Sequence, residues 1–274
     1  MSIQWPLVLL GLFAGTGGSL LAFAGLAEFS AAKEKTRATA AVWGVALLIV
    51  GGLCSVLHLG HPLNFMAAIA HLGSLSGISV ELIFLGLMVV RGAVYFIALR
   101  REKAQVAKVF GVIDIVLAVF LGFALGHGYM IEARANWNTW LIPLSFLFFG
   151  LLAGGALYQL IACVLEDGET GRVPQATAAC AVLTLAAFAG YGTHVGLGEA
   201  NVTAWWAAAL VLGAIAPLAL TLVSLKRPSK TLLIALLVCA AIGAVAIRAT
   251  MFAAGTGFIT AFDVAVQMRA LMPL

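Results

Sequence analysis

A histidine and a glutamate at the ends of two neighbouring apolar runs are the side chains best suited to chemistry in this sequence. His58 closes the second long apolar run, and Glu81 stands near the start of the third. If these runs are consecutive antiparallel helices, an imidazole and a carboxylate lie at the same depth, where they can share a proton. An ionisable residue inside an apolar helix is costly, so it marks a functional site when a partner can be named. We therefore predict that His58 and Glu81 form a proton-accepting pair.

Two further residues are candidates for the same site. His61 follows His58 by three positions and can share its role. Arg248 lies deep in the last apolar run, and a helical rise of roughly 1.5 Å per residue brings it toward the same layer. Its guanidinium can hold a carboxylate, donate to an oxygen of a bound ring, or form a structural ion pair with Glu81 or another acidic residue.

A membrane is the environment that positions these residues. The 274 residues are 63% hydrophobic and only 9% charged, a balance that no soluble domain can bury. Runs of about 20 apolar residues cross a bilayer as helices, because helices satisfy their own backbone hydrogen bonds in lipid. We predict an all-α bundle of eight transmembrane helices in a single membrane domain, residues 1–274. The spans are expected near residues 5–29, 40–59, 79–99, 109–130, 138–165, 174–195, 204–225 and 231–255.

The basic residues orient this bundle. Eleven of the 15 lysines and arginines fall in alternate gaps between the runs, as in Lys33 to Arg37 and Arg100 to Lys108. Cytoplasmic loops carry such an excess of positive charge, so these gaps are predicted to face the cytoplasm. With an even number of spans, both termini are then non-cytoplasmic. Membrane topology therefore explains the excess of basic residues, and no nucleic-acid partner is needed to account for it.

This orientation gathers all five histidines at the non-cytoplasmic face. His58, His127 and His194 each stand near the outer end of a span, and His61 and His71 lie in an outer gap. His127 and His194 also fit a simpler interpretation, since polar residues and glycines collect where membrane helices end. The link between His58 and Glu81 is apolar enough to form a short interfacial or re-entrant helix.

A pocket with histidine, carboxylate and arginine at this depth suits a lipid-soluble quinol, whose oxidation releases two protons and two electrons. The electrons must pass to another subunit, because the sequence has no cluster-binding cysteine pattern, nucleotide loop or flavin motif. The four cysteines are scattered and are interpreted as packing residues. No haem or metal is expected in this chain.

Three stretches resemble a known family, the membrane-anchor subunits of dimethyl sulfoxide reductase and related molybdopterin enzymes. LHLGHPLNFMAAI at residues 57–69 is similar to that family's LHLG-x-P segment, and SVELIFLG at 79–86 to its segment carrying a glutamate. IRATMFAAG at 247–255 is a looser match. The second histidine of HLGH departs from the small residue expected before the proline, which is why His61 competes with His58.

The resemblance implies a function and partners. It implies that menaquinol is bound and oxidised near the periplasmic face of the bacterial inner membrane, with His58 and Glu81 matching the family's site residues. It also implies an iron–sulfur electron-transfer subunit and a catalytic molybdopterin subunit. The terminal electron acceptor, and ubiquinone as a replacement for menaquinone, stay open.

Two other functions compete with this interpretation. His127 and His194 on neighbouring spans could ligate a haem b, as in a cytochrome anchor. A secondary transporter is the other alternative, although transporters gather their charged sites at the membrane midplane.

Two expectations concern structure alone. Arg91 and Asp114 lie on adjacent spans nearer the cytoplasmic side, and they are predicted to form a buried ion pair. Pro217 falls inside the seventh span and is expected to kink it.

Overall fold

The structure, a computed structural model, describes residues 3–59, 65–74, 76–195 and 200–255. Within these ranges the chain is helical and contains no strand. The helices are α1 Trp5–Ala27, α2 Glu34–His58, α3 Phe65–Ala70, α4 Gly77–Arg100, α5 Ala104–His127, α6 Leu141–Val164, α7 Val173–Val195, α8 Ala200–Leu210, α9 Ala216–Ser224 and α10 Lys230–Ala254.

The prediction of eight membrane spans is confirmed. Among the described residues, eight helical segments are long and apolar enough to cross a bilayer, and each overlaps a predicted span. Seven are single helices, and α8 and α9 together form the seventh span, Val202–Ser224. The protein is therefore a multi-pass membrane protein. We call the end of the bundle where His58, His127 and His194 lie the histidine end, and the end carrying Lys33, Arg101 and Lys226 the basic end.

Helix α1 lies at the centre of the bundle, where it contacts α2, α5, α6 and α10. In a bilayer, apolar side chains gain little by leaving lipid for one another, so helix association depends on close packing. Small residues allow that close approach. A Cβ on Gly25 would collide with the backbone of Gly111 in α5, and a Cβ on Gly17 would meet the carbonyl of Gly44 in α2. The buried face of α1 therefore positions α2 and α10, which carry His58 and Arg248, and α4, which carries Glu81, packs on α2 and α5.

The proline of the seventh span is accommodated by a π-helical turn. This turn, Val211–Ile215, joins α8 to α9, and Pro217 lies in the first turn of α9. A proline cannot donate the hydrogen bond that an α-helix requires, and a wider turn redistributes the carbonyls that precede it. The expected distortion at Pro217 is thus present as a π turn. Gly213 within it packs directly against Gly243 of α10.

The link between α2 and α4 contains a short helix, as predicted. Its described part consists of α3 and a 3₁₀ turn, Leu72–Ser74. Ser76 then caps α4, because its side chain accepts a hydrogen bond from the Ser79 amide at 3.3 Å. This cap sets the start of α4 and so the position of Glu81, which lies in its second turn.

The predicted ion pair between Arg91 and Asp114 is not formed. The Arg91 guanidinium lies over the ring of Phe110, 3.6 Å from its centroid, a cation–π contact that holds it in place. The buried Asp114 carboxylate accepts no hydrogen bond from any described residue, although it interacts with Arg91 electrostatically. Among the described residues of the basic end, Arg37 instead forms an ion pair with Glu28, at 2.5 Å.

Candidate functional site at the histidine end

A cavity of about 400 Å³ opens at the histidine end of the bundle. Its walls come from the start of α1, the end of α2, the link, the start of α4, the loop that follows α5 and the end of α10. The lining residues are Gln4, Leu7, Ser55, His58, Leu59, Phe65, Gly77, Ile78, Glu81, Leu82, Gly128, Tyr129, Ile131, Arg134, Trp137 and Phe252. Largely apolar walls with a few converging polar groups are typical of sites for small organic ligands.

His58 and Glu81 line this cavity together. His58 is the last residue of α2, where the chain turns to an extended conformation at Leu59, so its exposed imidazole stands at the cavity edge. Glu81 points from α4 toward the loop after α5, where Gly128 leaves room for it. A Cβ on Gly128 would lie only 3.2 Å from the Glu81 Oε1 atom. The structure thus brings the two residues singled out by the sequence to one cavity.

Arg248 lies behind the cavity wall and does not line it. Its side chain is 2% exposed and packs on the backbone of Gly11 and over the Phe146 ring, 3.9 Å from the ring centroid. One guanidinium nitrogen donates to the Ala244 carbonyl at 3.3 Å. Its charge acts on Glu81 through space. This placement differs from the roles that the sequence left open, because Arg248 neither lines the cavity nor forms an ion pair with Glu81, and its effect on Glu81 is electrostatic.

Tyr129 is a cavity residue that the sequence analysis did not select. Its ring packs edge-on against Trp137, Phe146 and Phe252, with centroids 5.8 to 6.0 Å apart. Burial raises the pKa of the Tyr129 phenol, and the neighbouring Glu81 carboxylate raises it further. The hydroxyl therefore stays protonated and can donate a hydrogen bond.

The loop between α5 and α6 fastens the end of the last helix to this site. The Arg134 guanidinium donates to the Gly255 carbonyl at 2.6 Å, Asn136 to Ala254 at 2.9 Å, and the Trp137 indole to Met251 at 2.7 Å. The last carbonyls of a helix have no hydrogen-bond donors within the helix, and these three side chains donate to them. The sequence held one signal for this loop, since Arg134 departs from the positive-inside bias.

The remaining histidines lie outside the cavity or outside the described residues. The imidazole of His127 is exposed and clusters with the rings of Phe123 and Trp140, 5.9 Å from each centroid. The His194 Nε2 atom is 3.1 Å from the Ala135 carbonyl oxygen. His71 is exposed in the link. His61 belongs to residues 60–64, which the structure does not describe, so the choice between His58 and His61 stays a prediction.

Comparison with known proteins agrees with the layout of this bundle. Residues 1–196 match the family model of the DMSO reductase anchor subunit (DmsC). The chain is also similar to the anaerobic dimethyl sulfoxide reductase chain YnfH of Escherichia coli (strain K12), with 25% identity over 204 residues. That alignment covers 73% of this chain and 70% of the relative. The family match includes α1 to α7, and hence all the cavity-lining residues except Phe252 of α10. The chain therefore belongs to the family of DMSO reductase anchor subunits.

Proposed function

We propose that this chain binds menaquinol in the histidine-end cavity, oxidises it there and passes its electrons to an iron–sulfur subunit. An anchor subunit implies other reductase subunits in the complex. In the proposed assembly these are the iron–sulfur subunit and a catalytic molybdopterin subunit, held at the bacterial inner membrane. The observation that carries the proposal is that His58 and Glu81, two groups able to take up protons, line one largely apolar cavity.

The size and lining of the cavity suit a quinol ring. A volume of about 400 Å³ falls within the range of roughly 300–1,000 Å³ that is usual for small-molecule sites. Leu82, Ile78 and Phe252 offer apolar faces to the ring. Tyr129 can donate a hydrogen bond to a ring oxygen, and His58 and Glu81 can accept from the two quinol hydroxyls.

Oxidation removes two protons and two electrons from the bound quinol and leaves the quinone. In the proposed reaction, Glu81 accepts the proton of one hydroxyl and His58 the proton of the other, while both electrons leave for the iron–sulfur subunit. Because His58 stands at the exposed edge of the cavity, the protons are released at the histidine end. Arg248 is a positioning residue, since it acts on Glu81 through space and does not reach the ring.

The iron–sulfur subunit is expected to dock over the same end. Electron transfer weakens steeply with distance, so a quinol site near one surface requires the acceptor on that surface. The orientation deduced from the basic residues makes this the periplasmic surface. The loop of residues 128–140 forms part of it, and Ile131 and Trp140 expose large apolar side chains there.

Quinol oxidation by the assembled complex tests the proposal. Menadiol, a water-soluble naphthoquinol without a tail, is mixed with the oxidised complex in lipid nanodiscs, and its oxidation is followed by ultraviolet absorbance. We expect the complete complex to oxidise menadiol, and the complex lacking this chain to oxidise none. A reduced viologen dye serves as the control, because it passes electrons to the other subunits without using the anchor. Both preparations should oxidise the dye. Equal menadiol oxidation without this chain would contradict the proposal.

A further inference from the structure

Arg91 and Asp114 carry buried polar atoms that have no hydrogen bond to any described residue. Asp114 is 0% exposed, and neither of its carboxylate oxygens has a partner. The Nε and Nη2 atoms of Arg91 are also buried and unpartnered, although the guanidinium lies over the Phe110 ring. A buried polar group without a hydrogen bond costs roughly 1–3 kcal/mol, and more when it is charged. These atoms therefore need a ligand that can bond to both side chains.

Water has the chemistry that this pair of side chains requires. Arg91 and Asp114 lie on the neighbouring helices α4 and α5, and their charges interact through space without a direct ion pair. A cation would be repelled by Arg91, and an anion would be repelled by Asp114. A water molecule donates to a carboxylate and accepts from a guanidinium, so it can bond to both at once.

An apolar layer separates the pair from the histidine-end cavity. The side chains of Leu48, Met88 and Leu121 meet beside Gly18 of α1, within 3.1 to 3.9 Å of the position that a Cβ on this glycine would take. All three side chains are buried. They come from α2, α4 and α5, which form a closed ring of contacts with α1. Water from the cavity would have to cross this layer to reach the charged pair.

Polar groups on the other side of the pair extend to the basic end. The Glu28 side chain packs beside Gly111, which lies one turn before Asp114 on α5, since a Cβ on Gly111 would be 3.3 Å from the Glu28 Cγ atom. Glu28 accepts a hydrogen bond from the buried Tyr95 hydroxyl at 2.7 Å. It also lines a pocket of about 360 Å³ at the basic end. A pocket at the basic end thus extends to a carboxylate that packs one helical turn from Asp114.

We propose that Arg91 and Asp114 hold bound water that enters from the basic end, and that this water bridges the two charges. The bridge takes the place of the direct ion pair expected from the sequence. A buried water typically makes about two to four hydrogen bonds, and the unpartnered atoms of the two side chains can supply them. The water site lies on the basic side of the apolar layer, and quinol binding has no part in it.

Hydroxyl-radical footprinting of the complex in nanodiscs detects such water. X-rays split bound water into radicals, the radicals oxidise adjacent side chains, and mass spectrometry identifies the oxidised residues. We expect Phe110 to be oxidised about tenfold faster than Phe120, because the hydrocarbon region of a bilayer holds no water. Phe120 is the matched control on the same helix, since it is 52% exposed and stacks on Phe84. Met88 of the apolar layer should stay at the background level.

Removing both charges should remove the water. Replacement of a buried charge pair by apolar residues of similar size is often neutral for stability, so Arg91→Leu/Asp114→Leu should assemble. Viologen-driven turnover reports that assembly. In this double variant the oxidation of Phe110 should fall to the rate of Phe120. Asp114→Asn keeps hydrogen-bonding groups at the site and should retain most of the Phe110 oxidation.

Three results would overturn the proposal. Oxidation of Phe110 no faster than that of Phe120 in the unaltered complex would exclude the water site, whether or not the double variant assembles. An unchanged Phe110 rate in the assembled double variant would show that the two charges do not bind the water. Oxidation of Met88 at the Phe110 rate would mean that water crosses the apolar layer, which contradicts entry from the basic end. Menadiol oxidation by the unaltered complex is a separate measurement and tests the quinol site alone.

Discussion

Replacing Glu81 with glutamine should lower menadiol oxidation by about a hundredfold or more. Glutamine keeps the size of the side chain, but it cannot accept a proton from a quinol hydroxyl, and a positioned general base contributes roughly 10²–10⁴-fold to a rate. Because glutamine can occupy the same space beside Gly128 as Glu81 does, the variant should assemble normally. The measurement is the initial rate of menadiol oxidation by the complex in nanodiscs.

Glu132→Gln is the matched control for this change. Glu132 is an exposed carboxylate in the loop after α5, at the same end of the bundle but outside the cavity lining. It should retain the full rate. Viologen-driven turnover should be equal in both variants, which reports intact assembly. A Glu81→Gln complex that oxidised menadiol at the unaltered rate would exclude the glutamate as the proton acceptor.

The second large effect is expected from His58→Gln, which should slow menadiol oxidation by about ten- to a hundredfold. Glutamine retains hydrogen-bonding groups of similar reach but does not titrate near neutral pH. His71→Gln serves as the comparison, since His71 is exposed in the link and does not line the cavity. That variant should behave like the unaltered complex in the same rate assay.

His61 is the other candidate for the second proton acceptor. If His61→Gln abolished menadiol oxidation while His58→Gln preserved it, the second proton acceptor would be His61, as the doubled histidine of HLGH allows. Comparable losses in both variants would indicate a shared role. Only full activity in His58→Gln contradicts the placement of His58 in the reaction.

The eight spans were predictable because their physical signal is local. Each is a run of apolar residues whose length matches the bilayer, and the residues that interrupt the runs are charged or helix-breaking. The placement of His58 and Glu81 at one cavity followed from the same reasoning, since consecutive antiparallel helices return the chain to the same depth. Both inferences needed only the order of residues along the chain.

The rest of the site depends on contacts between residues far apart in sequence. Tyr129 reaches the cavity because the loop after α5 folds inward, and Trp137 holds that loop through a hydrogen bond to Met251 in the last helix. No periodicity marks such residues. Arg248 was correctly assigned to the layer of Glu81, but its position behind the wall depends on the space that Gly11 leaves for the guanidinium.

The predicted Arg91–Asp114 ion pair shows a second limit of prediction from sequence. Opposite charges at similar depth on adjacent helices indicated an ion pair, yet depth does not fix the direction in which a side chain points around its helix. Phe110, one turn before Asp114 on α5, takes the guanidinium instead. Sequence therefore placed the charges in the correct layer and could not choose between an acidic and an aromatic partner.

Photo-cross-linking tests the location of the quinol ring most directly. A menadione derivative with an aryl azide on its ring is illuminated with the complex in nanodiscs, and labelled peptides are identified by mass spectrometry. We expect labels in residues 55–59, 77–82 and 128–137, which carry most of the cavity lining, and suppression by excess menadione. Labelling confined to the basic end, for example to peptides containing Arg37 or Lys103, with residues of the cavity unlabelled, would contradict a quinol site between His58 and Glu81.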